Sequence, residues 1–411
     1  MRMLEEMLPG HEGVLADPYP VYARLRESGA HQRVDLRSGL YGWLVTRYDD
    51  ARAALADPRL SKDPRHAPAD WQEAGRGRPL EDRSGLGTHL LTTDPPEHTR
   101  LRRLVSGYFT PGRLAALRPR IERRVDALID ELPDDSPGVC GAELIGDFAA
   151  PLQLGTICDV LGVPAADRTD FQRWTTAVVS SEAESGAGAR PEALRRLAAY
   201  AGELVAAKRR EPGDDVISAI TAAADDGERL TETELLSMIF LLLVAGYETT
   251  VGLIGLGVCT LLRHPDQLDL LRERPGLVDQ AVEELLRYDS PVELATWRFA
   301  REPMELGGVR VPEGQPVLVA LGAANRDPGR FPEPDRFDIA REDTAHLSFG
   351  LGPHYCLGAM LARLTGRAAL SAIVRRLPGL TLAVPPERLR WRSSLTVRGP
   401  QRVPVTFDRV C

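Results

Sequence analysis

Residues 349–358 read Phe-Gly-Leu-Gly-Pro-His-Tyr-Cys-Leu-Gly, and the chain continues Ala359-Met-Leu-Ala-Arg363. Two glycines before Cys356 and one after it, at 358, suit a tight backbone loop. Such a loop holds a sulfur forward and lets peptide N–H groups approach it. The cysteine lies near the start of a helix, whose positive dipole end favours thiolate. With no partner cysteine nearby and His354 beside it, the thiol is a nucleophile, an inert buried group or the single axial ligand of a haem iron. Local spacing alone does not choose among the three.

The rest of the sequence narrows the field. The chain has 411 residues, 43% of them hydrophobic and 27% charged, which is ordinary globular composition and excludes disordered and fibrous classes. A net charge of −8 gives no footprint for nucleic acid. Lys62 and Lys208 are the only lysines, so nearly all positive charge is arginine. Together with abundant Ala and Gly, this reads as the codon bias of a GC-rich bacterial genome. Five cysteines (Cys140, Cys158, Cys259, Cys356 and Cys411) with no CxxC pair fit neither a disulfide framework nor a zinc ribbon. The opening Met-Arg-Met-Leu-Glu-Glu-Met lacks an apolar secretory stretch, so a reducing, cytoplasmic setting is expected. The length admits two or three domains, but no linker divides it, and a single unit over 1–411 is expected.

From Met238 to Leu262 the sequence is apolar for long enough to cross a bilayer. Glu248, Thr249 and Thr250 interrupt its middle, Thr231-Glu-Thr-Glu234 has the form of a capping box, and Pro265 stops the helix. The segment reads as one helix of a water-soluble protein, apolar all round because it is buried on every side. Helical periodicity also marks Tyr19–Glu27, Asp50–Leu55, Leu114–Glu131, Ala142–Leu161, Glu192–Arg210 and Ala359–Leu377. Val34–Arg47 reads as a hairpin turning near Ser38-Gly39, and Val292–Val319 as short strands with turns at Gly307-Gly308 and Glu313-Gly314. Pro58–Gly87 is the longest irregular stretch, of a kind that tends to carry function.

The pattern Phe-Gly-x-Gly-x-His-x-Cys-x-Gly at 349–358 resembles the haem-ligand loop of cytochrome P-450 monooxygenases, and the likeness runs from about Asp17 to Phe407. The resemblance implies a mainly α fold with a minor β portion, haem b lying between the long central helix and the loop, and Cys356 as axial iron ligand. Ala245-Gly-Tyr-Glu-Thr-Thr250 is a second match. Gly246 is costly inside a helix by about 1 kcal/mol, so its bareness is expected to leave room for a ligand. Thr249 can bond the backbone behind it and bend the helix. Glu248 in apolar surroundings suits proton transfer. The resemblance makes Glu248 and Thr249 the proton-delivering pair. Tyr247 departs from the His or apolar residue that relatives often carry there.

Glu284-Leu-Leu-Arg287, one helical turn apart, resembles the buried pair that braces the ligand loop, with Arg336 as its third member. Asp94-Pro-Pro-Glu97 reads as a helix start, Asp94 capping, which puts His98 and Arg102 on one face. By resemblance His98, Arg102, Arg298 and His354 hold the haem propionates, and Phe349 with Gly246 borders the cofactor. Substrate contacts are expected from Pro58–Gly87, the region around Glu182–Arg190, and Leu241, Val244, Ala245, Val292, Ala295 and Leu395.

No flavin or nicotinamide fingerprint is present, so the resemblance implies a separate ferredoxin and ferredoxin reductase, docking where Arg103, Arg363 and Arg367 supply positive charge. A hydrophobic small molecule is the expected substrate, with neither nucleic acid nor membrane as partner and a monomer as the working form. A peroxide-driven peroxygenase and a non-enzymatic haem sensor are the alternatives, and the acid–alcohol pair at 248–249 argues against both. A hydrolase built on Cys356 and His354 is disfavoured because the histidine sits only two residues away on a tight loop. His346 and Asn325-Arg-Asp-Pro328 recur in the family without a role that the sequence supplies. Asp214-Asp215 and Asp225-Asp226 read as solvated turns.

Overall fold

A computed structural model of the chain describes residues 15–29, 31–36, 40–73, 87–133, 139–179, 186, 188–225, 230–392, 394 and 396–408. Helices dominate, as the periodicity predicts. On the N-terminal side α1 (Tyr19–Ser28), β1 (His31–Leu36), β2 (Leu40–Val45), α2 (Tyr48–Ala56), β3 (Leu60–Ser61) and α3 (Ala69–Glu73) come first. There follow α4 (Glu97–Ser106), α5 (Pro111–Asp130), β4 (Val139–Glu143), α6 (Ala150–Leu161), α7 (Arg168–Val179), α8 (Ala189–Arg210) and α9 (Val216–Asp225). The central helix is α10 (Glu232–Ala245) and α11 (Glu248–Arg263), and α12 (Pro265–Glu273) and α13 (Val278–Tyr288) complete this layer. Strands β5 (Arg298–Ala300), β6 (Met304–Leu306), β7 (Val309–Val311) and β8 (Pro316–Val319) precede α14 (Leu321–Asn325) and α15 (Ala359–Arg376). The short strands β9 (Thr381–Leu382) and β10 (Pro404–Asp408) end the chain.

The strands form a sheet in the order β1-β2-β8-β5-β3, a second sheet β4-β10-β9, and the hairpin β6-β7. β1 and β2 pair antiparallel from His31↔Val45 to Leu36↔Leu40, and the expected turn at Ser38-Gly39 lies outside the described residues. The turns at Gly307-Gly308 and Glu313-Gly314 join β6 to β7 and lead into β8, with positive φ at all three glycines. Ala142–Leu161 is not one helix. Val139–Glu143 is strand, and a wide turn over Leu144–Ala149 leads into α6, because the Glu143 carboxylate takes the Ile145 and Gly146 N–H groups at 3.0 and 2.7 Å.

Two apolar clusters flank the five-stranded sheet, whereas the largest core belongs to the helices and centres on α10 and α11. The Thr231–Glu234 capping box forms as predicted, and Pro265 opens α12 directly after α11 ends. In the 32 residues from Glu232 to Arg263 the most apolar window is 83% buried in protein, as for a core helix rather than a membrane span. Cys158 and Cys259 are buried free thiols. Asp215 is not a solvated turn residue: only 6% exposed, it takes Lys208 Nζ at 2.7 Å and the Ser218 N–H at 2.8 Å.

Candidate cofactor and active site

The ligand loop follows from its glycines. Gly350 and Gly352 adopt φ of +71° and +72°, a region open to glycine at little cost, and a Cβ at 352 would stand 3.3 Å from the Leu55 carbonyl oxygen. The Cys356 N–H donates to the Phe349 carbonyl at 2.8 Å, closing the loop just ahead of α15. Cys356 is solvent-accessible on one side and crowded by its own loop on the other. That crowding raises its thiol pKa, opposed by the Gly358 N–H and by the charges of Arg102 and Arg363. Phe349 packs edge-on to Tyr355, with the Arg363 guanidinium 4.4 Å over its ring.

Beside the sulfur, donors converge without an acceptor. The His98 and His354 rings lie 4.3 Å apart, and His98 Nε2 and His354 Nδ1 are both buried with no hydrogen-bond partner. Arg298, 4% exposed, reaches only the Thr296 carbonyl at 3.2 Å, and the Arg102 side chain makes no hydrogen bond or ion pair among the described residues. Burial together with Lys62, His98, Arg298 and Arg102 pushes His354 down to about 2. Burial likewise brings Arg298 down to about 10. A buried shelf of N–H donors at this density calls for an anion with at least two acceptor groups. Haem b, with a thiolate-seeking iron and two propionates, satisfies both halves of that demand, and the residues fit the group.

Lys62 is a member of this neighbourhood that the sequence reading did not assign. It is 2% exposed, and its ammonium donates to the Thr296 and Trp297 carbonyls at 2.9 and 2.7 Å, fixing the backbone that leads into Arg298. Asp94 does not cap α4, whose N-cap is Pro96. Its carboxylate instead accepts the Lys62 N–H at 2.8 Å and pairs with Arg301 at 2.8 Å, tying β3 to the chain entering α4.

The central helix is interrupted at Gly246 and Tyr247. Gln153 on α6 donates its amide to the Gly246 carbonyl at 2.5 Å, which satisfies a group freed by the interruption. The space that Gly246 leaves is not open: a Cβ there would lie 2.6 Å from Ile157 Cδ1, so its bareness admits α6 rather than a ligand. Thr249 Oγ1 donates to the Ala245 carbonyl at a long 3.4 Å, as expected of a back-bonding threonine. Tyr247 is buried, and its hydroxyl accepts from Gln172 of α7 at 3.3 Å. Glu248, 3% exposed, does not sit among apolar groups alone, because Arg392 Nη1 lies 3.0 Å from its Oε2.

Of the proposed substrate contacts, Ala245 faces open space, and Val292 and Ala295 are half-buried while Glu293 and Leu294 between them are buried. Leu241 and Val244 are 4% and 2% exposed and belong to the helical core. Leu395, residues 74–86 of the Pro58–Gly87 stretch, and 180–185 lie outside the described residues.

Behind the loop, Glu284 and Arg287 are both fully buried and joined by two bonds of 2.7 and 2.8 Å. Arg287 also donates to the carbonyls of Asn325, Pro334 and Arg336 at 3.0, 2.8 and 3.2 Å. The Arg336 side chain is not the third member. It is 59% exposed and pairs with Glu333 and Asp338, while Arg341 Nε meets Glu284 at 3.3 Å. The backbone bends so that 336 lends its carbonyl and 341 its charge. Asn325 binds Ser348 Oγ and the Leu347 N–H at 2.8 and 2.7 Å, and His346 meets Glu283 at 3.1 Å, so these residues anchor the approach to the ligand loop. Of the arginines expected to serve docking, Arg363 is held by Glu283 at 2.6 and 2.8 Å and Arg367 by Asp279 at 2.8 Å. Arg103 remains exposed.

The family description "Cytochrome P450" matches residues 193–388. The chain is 46% identical over 395 residues to the cytochrome P450 monooxygenase PikC of Streptomyces venezuelae, covering 96% of this chain and 92% of that one. It is 45% identical over 396 residues to 6-deoxyerythronolide B hydroxylase of Saccharopolyspora erythraea, covering 95% and 96%. Among solved structures it is similar to the tirandamycin C-bound P450 monooxygenase TamI, at a TM-score of 0.87 and 43% identity, covering 96% and 98%.

Proposed function

The chain belongs to the cytochrome P450 family, and from that premise we propose that it oxygenates a mid-sized hydrophobic natural product, of the macrolactone or polyketide class named for its relatives. Family members bind haem b and are oxidoreductases, which the donor shelf and the presented sulfur suit. The observation that carries the reading is the set His98, Arg102, Arg298 and His354 beside Cys356, donors that among the described residues meet a single protein acceptor, the Thr296 carbonyl bound by Arg298.

When bound, the haem would supply the activation of dioxygen, and the Cys356 thiolate would donate electron density that favours O–O cleavage. The chain's own residues bind, orient and supply protons. Cys356 offers its sulfur on a loop whose approach is anchored at Leu347 and Ser348 by Asn325, whose own carbonyl Arg287 holds. His98, Arg102, Arg298 and His354 hold the propionates. Glu248 and Thr249 pass protons through the carboxyl and hydroxyl groups at the helix interruption. Ala245, Val292 and Ala295 wall the space in which an apolar substrate sits and water is excluded.

Bacterial members of the family use separate redox partners. For this chain we propose a ferredoxin, reduced by its reductase, in a cytoplasmic setting. Arg103 and the exposed side chains of Tyr355 and Met360 offer it a face beside the ligand loop. The test is a titration of the purified haem protein with macrolactones, polyketides and fatty acids while the Soret band is followed, combined with a Cys356→Ser variant. A Soret shift for a macrolactone and loss of the thiolate-type carbon monoxide band in the serine variant are expected. Retention of that band with serine at 356 overturns the assignment.

A further inference from the structure

Glu248, Gly252 and Gly255 lie on one face of α11, four and three residues apart. Along that face the residues Arg390–Arg392 and Arg398–Gln401 lie side by side. Trp391 bridges Pro400, the Arg392 N–H donates to the Gly399 carbonyl at 3.0 Å, and the Gln401 N–H donates to Arg390 at 2.8 Å. The seat is close: a Cβ at Gly252 would be 3.1 Å from the Arg398 carbonyl oxygen, and one at Gly255 3.4 Å from Pro400 Cγ. Gly252 therefore lets this segment lie against the helix backbone, whereas the bareness of Gly255 chiefly admits Ile145, whose Cδ1 would be 2.6 Å from a Cβ there. The Arg390–Arg392 limb brings the Arg392 guanidinium, 14% exposed, to 3.0 Å from a carboxylate that is 3% exposed.

We propose that Arg392 is a positioning residue for oxygenation, fixing the Glu248 carboxylate at the helix interruption and so governing proton delivery through it. The proposal rests on the reading of Glu248 and Thr249 as the proton route. Each hydroxylation consumes one O2, two electrons from the ferredoxin and two protons, and leaves one oxygen in product and one in water. Glu248 releases a proton toward the oxygen being reduced, becomes the anion that Arg392 pairs, and regains a proton from water reaching the partly exposed guanidinium. A buried carboxylate deprived of this guanidinium would shift its position, and a displacement of about 1 Å in such a group costs on the order of a hundredfold in rate. Neither residue is made for the pair alone, since Arg392 also belongs to the paired segment, which is why the test needs a proton-specific readout.

The experiment uses the haem-loaded protein with ferredoxin, reductase and 6-deoxyerythronolide B as probe. It measures product per O2 consumed, the solvent deuterium isotope effect on product formation, and the probe's Kd from the Soret shift. Arg392→Gln is expected to lower product per O2 by about tenfold and to raise the isotope effect, with Kd unchanged. In a Glu248→Gln background the same change is expected to add nothing further, because the two residues act as a unit. Wild-type coupling and isotope effect in Arg392→Gln, or additive losses in the double variant, overturn the proposal. If the glutamine variant does not fold, Arg392→Lys carries the test, since it keeps the charge but loses the planar fork. A drop of about threefold is expected there, and no change overturns the proposal. Full coupling in Glu248→Gln alone overturns the proton-route reading beneath it, whereas loss in Glu248→Gln without loss in Arg392→Gln overturns only the role of Arg392.

Discussion

Replacing Glu284 by Gln removes one charge from a cluster that water does not reach. Glu284 is fully buried and accepts from Arg287 twice, from Arg341 at 3.3 Å and from the Asp338 N–H at 3.0 Å. Losing one partner of a buried pair costs about 3–5 kcal/mol, because the other charge is left uncompensated. Three carbonyls still solvate the Arg287 guanidinium, so Glu284→Gln belongs at the lower end, about 3 kcal/mol. That is roughly a hundredfold in the folded-to-unfolded ratio, against a total stability of about 5–15 kcal/mol. Arg287→Ala belongs at the upper end, about 5 kcal/mol, since it also orphans those carbonyls. For the same reason a paired apolar replacement, often harmless for simple buried ion pairs, is expected to fail here. Urea unfolding followed by tryptophan fluorescence gives the stability, and Soret absorbance per protein gives the haem content. A Glu284→Gln protein within about 1 kcal/mol of wild type by the first assay (less than about 1.5 kcal/mol, the low end for one hydrogen bond to a charged group) and fully haem-loaded by the second would refute the bracing argument.

Gly246→Ala drives a methyl group toward Ile157 Cδ1 and is expected to cost about 1–3 kcal/mol by overpacking, visible as a lowered Tm and relieved by Ile157→Val. If the double variant is no more stable than the single one, the contact is not the cause. Burial pushes the Glu283 carboxyl up, but hydrogen bonds from His346 and Arg363 outweigh it and hold the group at about 2. A folded-state pKa below the ordinary 4.5 contributes stability that is present above that value and lost as pH falls toward 2. Glu283→Gln is therefore expected to flatten the dependence of Tm on pH between those limits, and an unchanged acid slope would show that the contacts do not carry it.

The ligand loop and the Glu284–Arg287 pair were legible because each is local. Glycine spacing around one cysteine, and two charges one helical turn apart, survive reading in one dimension. What was not legible came from far along the chain and had no signature of its own. Arg341 meets Glu284 across 57 residues and looks like any other arginine in sequence. Arg336 was chosen instead because it lies in a recognisable motif, but a bend in the backbone turned its side chain outward. Lys62 offered a hint, as one of two lysines in an arginine-rich chain, without indicating what it touches. Gly246 was read correctly as exceptional and incorrectly as a gap, since composition does not reveal that Ile157 fills it. The interruption of the central helix was half visible: Thr249 foretold a bend, but Gln153, which satisfies the freed carbonyl, lies on another helix.

The donor shelf is assembled from a turn at Lys62, a helix at His98 and Arg102, a strand at Arg298 and a loop at His354. The β3–β5 pairing joins the first of these to the third, and one prosthetic group bridges that pair to the helix and the loop. Its departure would release all of these seams at once, so loss of colour, loss of turnover and loosening of the chain should coincide in time.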